Sequence, residues 1–152
     1  MKIAVLERNS VGTDIDVTCF EDFGEVTYYR NTVAADAAEK VKDVDIIIAN
    51  KAPMNEETLK DAPNVKLICE FATGFDNIDL EYCKKRRIKV ANVKDYSTAA
   101  VAQHTFALAL YLLEHLPHYD TYVKDGSYGA QDRFSNFDLP FTELAGKTWG
   151  II

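Results

Sequence analysis

A chain of 152 residues can bury one sizeable core but is short for two complete domains. With 47% hydrophobic residues, 27% charged residues and four prolines, its composition excludes a disordered or fibrous protein. The net charge of −7, from 24 acidic and 17 basic residues, is a poor match to nucleic acid or an anionic membrane surface, and neither is an expected partner.

Cys19, Cys69 and Cys83 are odd in number and widely spaced, which fits neither a disulfide framework nor a zinc pattern. No metal is expected. Met1–Glu7 is too short and too quickly charged for a signal peptide, and no apolar stretch approaches the ~20 residues of a membrane span. These features predict a soluble protein of the cytoplasm.

Five short runs rich in Val and Ile recur along the chain: Ile3–Leu6, Val26–Tyr29, Asp45–Ala49, Val65–Phe71 and Ile88–Asn92. Apolar on successive positions, they read as parallel strands buried on both faces. Amphipathic helices are predicted between them at Ala34–Val41, Asn55–Lys60 and Asp79–Lys85, with Asn55 and Asp79 as caps. The alternation defines an α/β fold with right-handed crossovers. The basic run Lys84–Arg87 reads as a solvated helix end that complements the helix dipole.

The longest helix is predicted over Thr98–Leu116, capped by Ser97 or Thr98. It is apolar nearly all round, so burial on most sides is expected, with Pro117 as its stop. Asp125–Pro140 reads as an extended arm or long loop, and Lys147–Ile152 as the start of another strand.

In an open parallel sheet, ligands bind beyond the carboxyl ends of the strands. That directs attention to the loops Glu7–Gly12, Asn50–Asn55, Ala72–Asn77 and Asn92–Thr98. Gly74 follows a strand and permits close backbone approach to a carboxylate; the competing reading is a simple turn with Asp79 as a helix cap. Lys51 fits either an ammonium facing an anionic ligand or a surface lysine before Ala52–Pro53. Tyr96 fits a hydrogen-bonding phenol or a packed loop aromatic. His104 reads as a hydrogen-bonded structural histidine before an acid–base group, and His115 and His118 read as surface residues. No Gly-x-Ser-x-Gly, Cys-x-x-Cys or His-Glu-x-x-His occurs, so no complete catalytic set is present.

Three stretches, taken together and in this order, carry a resemblance: Ala72-Thr73-Gly74-Phe75-Asp76-Asn77-Ile78-Asp79, then Val90–Val93 through Tyr96–Thr105, then Leu144–Ile152. The chain resembles the D-isomer-specific 2-hydroxyacid dehydrogenase family over essentially its whole length. The resemblance implies a flavodoxin-like parallel sheet with flanking helices, followed by a long helix and the start of a Rossmann domain. It divides the chain into a substrate domain at 1–97, an interdomain helix at 98–117, and an arm with the first strand of an NAD-binding domain at 118–152.

It further implies NAD as cofactor, with NADP the alternative, and a small 2-keto or 2-hydroxy acid as substrate, with glycerate or hydroxypyruvate favoured. Thr73, Gly74 and Phe75 would meet the substrate, joined by Lys51 and Tyr96, while Thr73 and Thr105 would face the cofactor. Gln103 in place of a common Glu, and Lys94-Asp95 in place of a common Pro-Gly or Pro-Ala, are departures. The glycine-rich dinucleotide turn and the arginine, acidic residue and histidine of the family's chemistry are not found. The chain is therefore expected to be an inactive N-terminal part of an oxidoreductase, self-associating as a homo-oligomer through the long helix or arm. A free-standing interaction module is the alternative, since the family includes a transcriptional corepressor.

Overall fold

The computed structural model describes residues 1–151, so the last residue of the strand expected from Lys147 lies outside the described residues. All five apolar runs form strands: β1 (Lys2–Val5), β2 (Glu25–Tyr28), β3 (Ile46–Ala49), β4 (Leu67–Glu70) and β5 (Lys89–Ala91). They pair in parallel in the order β2-β1-β3-β4-β5. Parallel neighbours need crossover connections, and α1 (Ala34–Val41), α2 (Glu56–Leu59) and α3 (Leu80–Arg86) supply three of them. This is the flavodoxin-like order, whose switch point lies between β1 and β3.

The main core forms where Leu6, Ile47, Ala49 and Ile68 meet Ala37 and Val41 of α1, Leu59 of α2 and Cys83 of α3. Each such large side chain contributes about 1.5–3 kcal/mol on leaving water. Ile3, Val5 and Ile48 face the other way, against Phe20 of the 3-10 turn Thr18–Phe23 and against Phe71. Only the central strands are buried as expected. β2 and β5, at the sheet edges, alternate between exposed and half-buried residues because the covering layers sit over the middle of the sheet. Gly24 is required by close approach, since a Cβ there would collide with the Met1 carbonyl oxygen.

Asn55 accepts a hydrogen bond from the Thr58 N–H at 3.1 Å, and Asp79 one from Tyr82 at 2.9 Å, so both predicted caps form. The basic run is not wholly solvated. Arg86 donates to the carbonyls of Leu59 (2.8 Å) and Ala62 (3.0 Å) and lies over the Tyr82 ring, which ties α3 to the end of α2.

The chain divides into two compact units, Met1–Tyr96 and the residues from Ser97 onward. In the second, α4 (Thr98–Leu113) carries no buried residue, contrary to the burial expected of it: its apolar surface exceeds what its own unit can cover. Ser97 occupies the cap position but makes no side-chain cap bond. The helix stops at Leu113 rather than Leu116, because His115 turns into the left-handed region (φ 52°). Pro117 then falls in the first turn of α5 (Leu116–Lys124), where a missing N–H costs nothing. The expected arm is partly helical, with α6 at Ser127–Ala130. The Tyr119 hydroxyl donates to the Leu139 carbonyl and Tyr122 bonds Gln131, folding the segment back on α5. Residues 147–151 form no strand. A single extended segment needs a neighbouring strand for its backbone groups, and Trp149 instead packs on Phe106 at 4.8 Å between ring centroids.

Candidate ligand loops at the carboxyl edge of the sheet

Because all five strands run in one direction, the loops after β1, β3, β4 and β5 emerge at a single edge. The first is folded by Arg8, whose guanidinium donates to the carbonyls of Val11, Gly12 and Ile15. Just before it lies Glu7, which is buried and accepts hydrogen bonds from the backbone N–H groups of Asn50 (2.6 Å) and Lys51 (2.9 Å). The backbone of the loop after β3 is thus fixed while the Lys51 side chain remains exposed.

That loop is joined to the next. The Asn77 side-chain amide donates to the Ala52 carbonyl at 3.0 Å, the Met54 N–H donates to the Asn77 carbonyl at 2.8 Å, and the Asp79 N–H donates to the Met54 carbonyl at 2.9 Å. Met54 and Ile78 form a one-residue parallel bridge between the two loops. The loop after β4 is in turn tied to the loop after β5. The Thr73 hydroxyl donates to the Val93 carbonyl, the Asn92 amide donates to the Thr73 carbonyl, both at 2.8 Å, and the Val93 N–H donates to the Ala72 carbonyl at 3.0 Å.

Within this frame Thr73, Gly74 and Phe75 are exposed. Their backbone N–H groups have no acceptor among the described residues, and successive free N–H groups are suited to an anion. A Cβ on Gly74 would meet only the Asp76 carboxylate, at 3.9 Å, so its backbone does not demand glycine and its surface is open. Asp79 does cap α3, so the turn-and-cap reading of this segment is realised alongside the open loop. Tyr96 projects into solvent at 65% exposure, directly after Asp95 in the left-handed conformation (φ 59°). Aspartate adopts that conformation more readily than most residues other than glycine, so the Lys94-Asp95 departure is accommodated.

Lys51, Thr73, Gly74, Phe75 and Tyr96 therefore lie on three interlinked loops of one edge. Thr105 belongs to the second unit, where its hydroxyl donates to the Val101 carbonyl of its own helix at 2.8 Å. His104 is exposed on α4 rather than held as a structural histidine. No cluster of His, Cys, Asp or Glu among the described residues could hold a metal, and none of their helices is long and apolar enough to cross a membrane.

Sequence reasoning passed over Glu70, the last residue of β4, which is 2% exposed. One carboxylate oxygen accepts from the Asn77 amide at 3.3 Å and the other has no partner among the described residues. Burial pushes this carboxyl up to about 7; the Asn77 bond opposes the rise, Glu7 adds to it, and Lys51 lowers it. The signal was available as a carboxylate inside the apolar run Val65–Phe71.

A five-stranded parallel sheet of this order with flanking helices defines an α/β domain of the flavodoxin-like kind. Residues 3–145 match the family model for the D-isomer specific 2-hydroxyacid dehydrogenase catalytic domain. The chain is 35% identical to a hydroxypyruvate reductase of Blautia hydrogenotrophica over 100% of this chain and 48% of the relative. It is 33% identical to a glycerate dehydrogenase of Methylorubrum extorquens over 99% of this chain and 48% of that one. Among solved structures, it superposes on the D-lactate dehydrogenase of Aquifex aeolicus, a complex with NAD and lactic acid, with a TM-score of 0.71 and 30% identity over 95% of this chain and 41% of that one. The chain belongs to the D-isomer-specific 2-hydroxyacid dehydrogenase family, and it spans about half the length of the curated relatives it matches.

Proposed function

We propose that this chain is the substrate-facing part of a nicotinamide-dependent oxidoreductase that interconverts 2-keto acids and D-2-hydroxy acids. The observation that carries this reading is the row of unpartnered N–H groups at Thr73, Gly74 and Phe75, exposed on a loop braced on both sides. They receive the substrate carboxylate, with the Lys51 ammonium adding positive charge on the neighbouring loop and the Tyr96 phenol hydrogen-bonding a substrate oxygen. Hydroxypyruvate and glyoxylate are the favoured substrates, in keeping with the names of the similar proteins.

The cofactor, NAD before NADP, supplies the hydride. The open surface over Gly74 fits a flat ring beside the carboxylate, whereas the described residues offer no glycine-rich turn for the phosphates. Thr73 borders the ring. Thr105 keeps its acceptor lone pairs after donating to Val101 and is the second cofactor-facing residue. No group of this chain is assigned the acid–base step. In domain terms, 1–97 binds substrate, 98–117 links, and 118–152 leads into the cofactor-binding part, in a cytoplasmic protein whose three thiols are unpaired.

The test is NADH oxidation by the full-length gene product with hydroxypyruvate, glyoxylate and pyruvate. Gly74→Val covers the free N–H groups and is expected to lower kcat/KM at least about tenfold, roughly 1.4 kcal/mol of lost transition-state binding. Unchanged kcat/KM in that variant would remove the loop from the substrate site.

A further inference from the structure

The loop that carries Thr73 and Gly74 rests on an unusual support. Glu7 and Glu70 are both buried carboxylates beneath the same loops, but they are solvated by the protein unequally. Glu7 accepts from two backbone N–H groups. Glu70 has one long bond, to an Asn77 amide that it shares with the Ala52 carbonyl, and an oxygen with no partner among the described residues. An ionised carboxylate in that setting is costly, whereas a neutral carboxyl is tolerated.

We infer that Glu70 is a positioning residue: its proton sets, through the Asn77 amide, how the Thr73–Gly74 loop is held against the loop bearing Lys51. The inference rests on the proposed carboxylate role of that loop only for its consequence in binding. When neutral, Glu70 offers Asn77 a weak acceptor and leaves the amide on Ala52. Once ionised, it becomes the stronger acceptor, draws the amide toward itself and adds negative charge below the anion-receiving N–H groups. The charged groups that act on it are Glu7, from the end of β1, and Lys51, from the loop after β3, with opposite signs. Ala49, its partner across β3, is uncharged.

The test is an NMR titration of this chain between pH 5 and 9, following the Glu70 carboxyl carbon, the Asn77 side-chain amide and the Gly74 backbone amide. Expected is one common midpoint in the neutral range, lost in Glu70→Gln. In Asn77→Ala, Glu70 still titrates but Gly74 no longer follows. Three results overturn the inference: Glu70 titrating as an ordinary surface carboxylate, Asn77 and Gly74 unmoved while it titrates, or the Gly74 titration surviving in Glu70→Gln. The wild-type midpoints decide the matter should a variant fail to fold. Repeating the measurement with glyoxylate is expected to give several-fold weaker binding at pH 8 than at pH 6 in the wild type and equal binding in Glu70→Gln. A coupled Gly74 titration with no glyoxylate response at either pH supports the positioning role and overturns the carboxylate reading, so the two fail separately.

Discussion

The two units of the chain use apolar residues in opposite ways. In the first, α1 carries one apolar stripe, buries Ala37 and Val41, and leaves Asp36 and Glu39 in water. In the second, α4 is twice as long and apolar nearly all round, yet buries none of its residues. A helix with one stripe is satisfied by one sheet face, while a helix apolar all round needs neighbours on several sides. Hydrophobic content therefore measures how much cover a helix requires, and only packing shows whether it has it.

The contrast is tested most sharply by truncating core side chains. Leu59→Ala or Ile68→Ala, both at fully buried positions, is expected to cost about 2–5 kcal/mol in denaturant unfolding of the first unit. Losses below 1 kcal/mol would show that the sheet is not the stable region.

The next effect is in pH. Glu70 is held at about 7 in the folded chain against an ordinary 4.5, so the unfolded chain releases its proton first. Stability is expected to fall as pH rises from about 4.5 through about 7, by on the order of 3 kcal/mol. Glu70→Gln is expected to flatten that slope, and an unchanged slope would assign it to another group.

Smaller still are the caps. Asn55→Ala and Asp79→Ala each remove a side-chain acceptor from a helix N-terminus and are expected to cost about 1 kcal/mol in the same unfolding experiment. The smallest effect is expected of Leu112→Ala on α4, at 71% exposure, within about 0.5 kcal/mol. A loss comparable to that at Leu59 would break the comparison by showing that α4 is covered in solution.

The architecture was legible because it rests on periodicity. Every run rich in Val and Ile became a strand, and Asn55 and Asp79 capped where short polar residues precede a helix. Boundaries that depend on a single backbone angle were not legible. Pro117 marked a break, but the turn is made two residues earlier by His115, whose left-handed conformation no sequence signal announced. The loops of the candidate site were located by strand direction alone, and Thr73 and Gly74 by motif. Glu7 and Asn77 were missed because their importance lies in which loops they join, and those contacts span 43 residues for Glu7 and Asn50 and 25 for Asn77 and Ala52, whereas Glu70 was passed over although a carboxylate within an apolar run marks it.

Surface loops are where chains usually absorb inserted residues. The bridge between Met54 and Ile78 withdraws that freedom from two of them. An extra residue between Ala49 and Met54, or between Glu70 and Ile78, would shift the register of the bridge and carry Asn77 away from Ala52. Length is therefore fixed on this edge of the sheet as firmly as side-chain identity is fixed in the core. Insertions should be accepted instead at the opposite edge, at the exposed turn of Pro63 and Asn64 ahead of β4.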